Sequence, residues 1–213
     1  MLSEDSPRPP LPSPITGADA AEPMSDDLLT PDEAAALVHA SSSRAPTGLR
    51  NRALVAVMYR SGLRPGEALA LLPGDVDLAA GTVAVPARKG GRPRTAGLDL
   101  TTRGLIAAWQ ARRTERGIDD DRPLFCTLAG EPIKAAYVRE LLPRLARRAG
   151  IRKRVHPLAL RYANAAELAE EGMPASMIDR HLGVAPVGAG RRYRRPVSED
   201  DVVAAVAGRP WRL

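Results

Sequence analysis

The sequence Ser-Gly-Leu-Arg-Pro-Gly-Glu-Ala-Leu runs from Ser61 to Leu69. It places an arginine at the join between two predicted helices. The residues that lead into it, 49–61, carry apolar side chains at helical spacing, which predicts a buried helix that Gly62 ends. Pro65 suits the first turn of a second, short helix, because the amide proton that proline lacks would have no partner there. Arg64 is therefore expected at a helix start, where free backbone N–H groups favour an anion.

After this join the pattern changes from helical to β-like spacing, and then back again. Residues 75–78 and 82–85 are short β-like runs on either side of an Ala-Ala-Gly turn, and Gly90-Gly91 precedes a third run at 95–100. Helices are expected at 30–39, 65–72, 102–116, 134–149, 159–171, 174–182 and 198–206. We therefore predict a mainly α fold with a small, three-stranded antiparallel β-sheet (α+β).

The first part of the chain differs in composition from the rest. Residues 1–29 hold six prolines among acidic and small residues, which predicts a disordered acidic tail. Order is expected to begin at Thr30, which can cap a helix whose Glu33 closes a capping box. The prediction is a tail over residues 1–29 and one domain over residues 30–213, with no separate N-terminal domain.

Charge is unevenly distributed along the chain. The formal net charge of the 213 residues is +6 at pH 7, although residues 1–33 hold eight acidic residues and a single arginine. The remainder is strongly basic, which predicts attraction to a polyanion and a salt-dependent interaction with it. A composition rich in arginine and alanine for reasons unrelated to any ligand is the alternative.

Composition also bounds the compartment and the chemistry. Cys126 is the single cysteine, so an internal disulfide is excluded, and no cysteine and histidine cluster has the spacing of a metal site. The sequence has no basic-then-apolar N-terminal signal and no apolar run long enough to cross a membrane. We expect a cytoplasmic protein with no metal, no cofactor and no membrane partner.

Towards the C-terminus, one tyrosine lies between two pairs of arginines. The run Arg191-Arg192-Tyr193-Arg194-Arg195 puts four guanidinium groups around one phenol. Such a phenol can attack a phosphodiester while the cations stabilise charge that develops on the phosphate oxygens. The alternative is a solvated or nucleic-acid-contacting face that performs no chemistry.

Lysine is rare in this chain, so each lysine is of interest. Of the 31 basic residues, only Lys89, Lys134 and Lys153 are lysine. An ammonium group can give up a proton when its surroundings lower its pKa, whereas arginine keeps its proton. Lys89, beside Gly90-Gly91, is either a proton donor or the solvated tip of a hairpin.

Five segments, taken in order, resemble the motifs of the tyrosine recombinases, also called the phage integrase family. They are Ser61–Leu69 with Arg64, the hairpin Lys89–Arg94, the box His156–Tyr162 with Arg161, the segment His181–Val184, and Tyr193. The resemblance implies the fold of the catalytic domain of that family.

The resemblance also implies a mechanism. Tyr193 would attack a DNA phosphodiester and form a 3′-phosphotyrosyl bond, so that strands could be rejoined without ATP or a metal. Arg64 and Arg161 would bind the non-bridging oxygens as bidentate donors, and Lys89 would protonate the departing 5′ oxygen. Contacts to the DNA backbone are expected from Arg88, Arg92, Arg94, Arg191, Arg192, Arg194 and Arg195.

The chain departs from the family pattern at two supporting positions. Leu158 and Val184 stand where the family has histidines. Neither side chain can carry a proton or donate to a phosphate oxygen. His156 and His181 lie close to them in sequence and are candidates to compensate, while Glu67 is expected to fix the backbone or a neighbouring arginine.

Three functions stay open on the sequence alone. The first is an enzyme that cleaves and rejoins double-stranded DNA with weakened activity, and the second is a DNA-binding protein of the same descent that no longer cleaves. The third is an unrelated helical regulator. The resemblance implies a homo-oligomer on DNA and, because the N-terminal clamp domain of the family is not seen, an accessory DNA-binding partner. Residues 198–206 are either a helix exchanged between protomers or one that packs on its own domain.

Overall fold

The computed structural model describes residues 28–86, 93–184 and 198–211 of the chain. Within these ranges the chain forms eight α-helices and a small antiparallel sheet, so the mainly α class with a small sheet is confirmed. The helices are α1 (Pro31–His39), α2 (Pro46–Arg60), α3 (Pro65–Ala68), α4 (Leu100–Glu115), α5 (Ala135–Arg148), α6 (Pro157–Glu170), α7 (Ala175–Leu182) and α8 (Glu199–Ala207). None of these helices is long and apolar enough to span a membrane.

The sheet has the three strands that the sequence predicts. They are β1 (Val76–Asp77), β2 (Thr82–Val85) and β3 (Arg94–Gly97), in the order β1-β2-β3. Strand β3 pairs with β2 so that Arg94 lies opposite Val85 and Gly97 opposite Thr82. It ends before the predicted limit of residue 100, because the carboxylate of Asp99 accepts the backbone N–H of Thr102 at 2.9 Å and begins α4 there.

Local signals explain where α1 begins and why α3 does not reach Leu72. The predicted capping box is present, since Thr30 accepts the backbone N–H of Glu33 and the Glu33 carboxylate accepts that of Thr30. Helix α3, predicted to reach Leu72, ends four residues earlier. Leu72 precedes Pro73 and is extended, with φ −95° and ψ 160°, because a residue before proline disfavours helical geometry.

Helix α2 is the centre of the core. Each residue from Ala53 to Tyr59 is at most 1% exposed, so the helix is covered on all sides. It packs against α1, α4 and α6. The predicted buried helix is thus confirmed, and its C-terminal end delivers Ser61, Gly62 and Arg64 to a fixed place beside α6.

Helix α8 packs on its own domain. Its Val202 and Val206 are buried, and it lies against β3 and α7. A Cβ atom on Gly97 would come within 2.7 Å of the Val206 Cβ, so glycine in β3 is what allows this close approach. In the single chain, residues 198–206 thus pack on their own domain. Exchange of this helix between protomers stays a prediction.

Candidate functional site

Arg64 occupies the turn between α2 and α3. Its backbone N–H donates to Oε2 of Glu67 at 2.8 Å, which holds the start of α3. Its guanidinium lies 3.5 Å from Oε1 of the same carboxylate, yet 48% of the side chain stays exposed. Arg64 therefore presents a positive charge to solvent from a fixed backbone position.

Arg161, on α6, is brought against that same turn. Its guanidinium donates to the backbone carbonyl oxygens of Gly62 and Leu182, and the residue is only 5% exposed. Burial, together with the nearby charges of Arg64 and Arg94, lowers the pKa of Arg161 to about 10. Its two carbonyl partners leave three of the five guanidinium N–H donors for another acceptor.

Glu67 is the carboxylate that the arginine cluster surrounds. It is 5% exposed, and its two carboxylate oxygens accept from Nη1 and Nη2 of Arg94 at 3.0 and 3.1 Å. Burial acts to raise the pKa of Glu67, but hydrogen bonds from Arg94 and from the Arg64 backbone outweigh burial and hold the pKa below its ordinary value. The expectation that Glu67 fixes the backbone and a neighbouring arginine agrees with these contacts.

The place of Arg94 differs from the expected one. We expected a DNA contact, but Arg94 is 6% exposed, pairs with Glu67, and donates through Nε to the backbone carbonyl of His181 at 3.0 Å. Gly183 permits this position: it has φ +65°, and a Cβ there would lie 3.0 Å from the Arg94 side chain. Arg94 therefore joins α3 to the end of α7 from inside the protein.

These contacts produce a site with more positive than negative charge. Three guanidinium groups, those of Arg64, Arg94 and Arg161, surround a single carboxylate, that of Glu67. The excess positive charge is partly buried, and charge interactions are stronger there than in water. Chemically, this arrangement favours an anion such as a phosphodiester, which guanidinium groups can hold with paired hydrogen bonds.

His156 and His181 both hold structural positions. His156 precedes α6, and its Nδ1 accepts the backbone N–H of Ala159 at 3.3 Å. Burial and the charge of Arg154 lower the pKa of His156. His181 is fully buried, with Nε2 3.3 Å from the carbonyl oxygen of Arg60.

Leu158 and Val184, the two expected departures from the family pattern, differ in how they relate to Arg161. Leu158 precedes Arg161 by three residues on α6, so both lie on one helical face, and Leu158 is 38% exposed. Val184 follows Leu182, whose carbonyl Arg161 contacts. Tyr162, which follows Arg161 on α6, is partly buried.

Several predicted site residues lie outside the described residues. These are Lys89 and Tyr193, together with the predicted DNA contacts Arg88, Arg92, Arg191, Arg192, Arg194 and Arg195. Their roles stay predictions. The described part of the site is the set Arg64, Glu67, Arg94 and Arg161.

A buried ionic network next to this site was not foreseen from the sequence. Arg60 is 0% exposed and bonds through Nε to Asp99 and through Nη1 to Glu167, both at 2.8 Å. Arg209 continues the network, 2.9 Å from Glu167 and 2.6 Å from Glu171. The network joins α2, the start of α4, α6 and the segment after α8. Its one sequence signal was Asp99, a residue type that caps helices.

Comparison with known proteins agrees with this geometry. The profile of the phage integrase family matches residues 27–199. Tyrosine recombinase XerC of Xylella fastidiosa (strain 9a5c) is 35% identical over 166 residues, which make up 78% of this chain and 55% of that protein. The crystal structure of XerA recombinase superposes with a TM-score of 0.68 at 26% identity, over 82% of this chain and 58% of that one.

A structure solved with DNA also has this fold. XerH site-specific recombinase, bound to palindromic difH substrate in a post-cleavage complex, superposes with a TM-score of 0.66 at 24% identity. The match covers 81% of this chain and 50% of that one. The chain thus spans little more than half the length of the relatives that it matches.

Fold and sequence together define the class of this protein, the catalytic domain of a tyrosine recombinase. An exposed arginine before a short helix and a buried arginine on α6, held at the same turn, agree with the two arginine motifs by which the class was recognised in the sequence. The chain belongs to the phage integrase family.

Proposed function

We propose that this chain binds double-stranded DNA and cleaves and rejoins its strands in site-specific recombination. The observation that supports this most is the meeting of Arg64 and Arg161, which come from segments almost a hundred residues apart and share the turn at Gly62. A phosphodiester placed against this pair would receive hydrogen bonds on its non-bridging oxygens.

In the proposed reaction, the hydroxyl oxygen of Tyr193 attacks the phosphorus and forms a 3′-phosphotyrosyl bond, while its proton passes to water. The bond from phosphorus to the 5′ oxygen breaks, and Lys89 gives that oxygen a proton. A 5′-hydroxyl of another strand then attacks the phosphotyrosine and releases the tyrosine. Phosphodiester energy is conserved in the covalent intermediate, so no ATP or metal is required.

A second function is favoured by Leu158 and Val184. Leu158 lies one helical turn before Arg161, and Val184 follows Leu182, whose carbonyl Arg161 contacts. Neither side chain can transfer a proton to assist the reaction. Under this alternative the chain is a DNA-binding protein that has lost strand cleavage. In both cases we propose assembly as a homo-oligomer on DNA, with an accessory DNA-binding protein contributing to recognition.

Covalent trapping distinguishes the two functions. The substrate is a pool of duplexes with randomised sequence, each with a nick next to the scissile position. After attack, the short 5′-hydroxyl product is lost and the protein stays attached to the DNA. We expect an adduct that resists denaturation in wild type, none in Tyr193→Phe, and an unchanged adduct in Tyr162→Phe. Sequencing the trapped DNA would give the target site.

The outcomes separate cleanly. DNA binding without any adduct would replace the enzyme by the inactive DNA-binding protein. An adduct that persists in Tyr193→Phe would overturn the assignment of the nucleophile. No DNA binding by wild type at low salt would overturn the proposal as a whole.

A further inference from the structure

A basic groove lies between α5 and the segment 151–157, next to the arginine site. Its volume is about 380 Å³, and its floor is apolar. The floor comprises Pro143, Ala146, Ile151 and Val155. The groove ends at His156 and Pro157, where α6 begins, one helical turn before Arg161.

Most of the positive charge at the rim of the groove has no ion-pair partner in the described part of the chain. Four exposed arginines line it, and none of the four has an ion pair among the residues that the structure describes: Arg139, Arg147, Arg152 and Arg154. Lys153, also at the rim, pairs with Glu33 at 2.7 Å. An apolar floor inside a cationic rim fits an extended segment that alternates acidic and apolar residues.

This chain contains a segment of acidic and apolar residues directly before the residue that lies at the groove. The ammonium group of Lys153 donates to the backbone carbonyl of Leu28 at 2.7 Å, which places the first described residue at the edge of the groove. Immediately before it, residues 19–27 read Asp-Ala-Ala-Glu-Pro-Met-Ser-Asp-Asp, with four acidic residues and no basic one. Two residues of extended chain reach about 7 Å, so Asp26 and Asp27 are within range of the rim.

We propose that residues 19–27 dock in this groove as an intramolecular acidic ligand and compete there with DNA. The carboxylates pair with the rim arginines, and Met24 and the alanines cover the apolar floor. Because the groove adjoins the start of α6, a docked segment lies beside Arg161 and repels a DNA phosphate that approaches it. The competition with DNA rests on the proposed function, whereas docking itself does not.

Nuclear magnetic resonance on the full chain tests docking without DNA. A nitroxide on Thr16→Cys is selective, because the native Cys126 is 0% exposed. We expect broadening of backbone amide signals in 139–147 and 151–155. It should weaken clearly when Asp19, Glu22, Asp26 and Asp27 are replaced by their amides, and also at about 1 M salt, where charges are screened beyond about 3 Å.

The matched control removes four acidic charges elsewhere. Glu115, Asp119, Asp120 and Asp121 are exposed at and after the end of α4, and replacing them by amides should leave the broadening unchanged. Groove signals that are not broadened in wild type, or that are broadened equally in the tail variant, would overturn docking.

DNA affinity tests the competition. A segment docked about 80–90% of the time raises the apparent Kd for DNA by about five- to tenfold, so the tail variant should bind that much more tightly at low salt. The control variant should gain clearly less. Equal gains in both variants would overturn competition, because general charge would then explain them. If no variant binds DNA, the proposed function fails while the resonance result still decides docking.

Discussion

At the scale of single residues, Glu67 is the side chain on which the arginine cluster depends. It holds the backbone of Arg64 and both terminal nitrogens of Arg94. We expect Glu67→Gln to lower the free energy of unfolding by about 3 kcal/mol, because a buried guanidinium loses its counter-charge while the volume is unchanged. Urea denaturation followed by circular dichroism measures the loss.

Glu131→Gln is the matched control for this change. Glu131 is 64% exposed and lies 4.0 Å from Arg122, so its removal should cost less than about 1 kcal/mol. Similar losses in the two variants would show that Glu67 has no special role.

His181 makes stability depend on pH. Burial, reinforced by the charge of Arg209, lowers its pKa from 6.5 to about 3. The unfolded chain therefore takes up a proton that the folded chain does not, so this contribution is complete above pH 6.5 and is lost as the pH falls towards 3. The slope expected is about 1.4 kcal/mol per pH unit.

Unfolding free energies of wild type and His181→Asn, measured between pH 4 and 7, check this contribution. The variant should show the shallower dependence, since it lacks the titrating group. His39→Asn, at the exposed C-terminal end of α1, is the control and should keep the wild-type slope. Identical slopes in all three proteins would refute the role of His181.

At the scale of elements, the segment after α8 is anchored by one buried arginine. Arg209 bonds to Glu167 and Glu171, and Trp211 packs on Tyr59 with ring centroids 5.5 Å apart. We expect Arg209→Met to release this segment, with an overall cost of about 3 kcal/mol. Tryptophan emission should shift to longer wavelength, because Trp211 becomes exposed to water.

Helical circular dichroism separates release of the segment from general unfolding, and it should change little in Arg209→Met. The comparison protein is Arg112→Met, since Arg112 and its partner Glu115 are both exposed and their ion pair contributes little. Unshifted emission in Arg209→Met would show that other contacts hold the segment.

Elements were predictable from the sequence to the extent that their signals are local. The capping box at Thr30 and the apolar spacing of α2 lie within a few residues, and both were predicted. Long-range partners gave no such signal. The sequence around Arg94 is typical of an exposed hairpin arginine. In the fold, Arg94 instead contacts Glu67, 27 positions away, and His181, 87 positions away.

The site was predictable in part for the same reason. The order of the motifs along the chain identified Arg64 and Arg161, because each motif is recognised from its own residues. Neither the burial of Arg161 nor its two carbonyl partners could be read in that way, since they depend on how α6 lies against the turn after α2. The roles of Lys89 and Tyr193 stay predictions.

At the scale of the whole molecule, the first part of the chain is acidic and the remainder is basic. Residues 1–33 hold eight acidic residues, while the chain as a whole is still +6. Binding to DNA should therefore release counterions, and for about six phosphate contacts the logarithm of the association constant falls with the logarithm of salt at a slope of about −5. Fluorescence anisotropy with labelled duplexes measures that slope.

The variant Arg64→Gln tests whether the site contributes to this salt dependence of DNA binding. If the exposed guanidinium of Arg64 contacts one phosphate, its loss weakens binding to unrelated duplexes by a similar factor and makes the slope less steep by about one. Arg116→Gln removes another exposed charge, at the end of α4 and outside the cluster, and should leave the slope nearly unchanged. Equal changes in both variants would mean that net charge alone attracts DNA, whereas a change confined to Arg64→Gln places the phosphate at the turn that Arg161 also contacts.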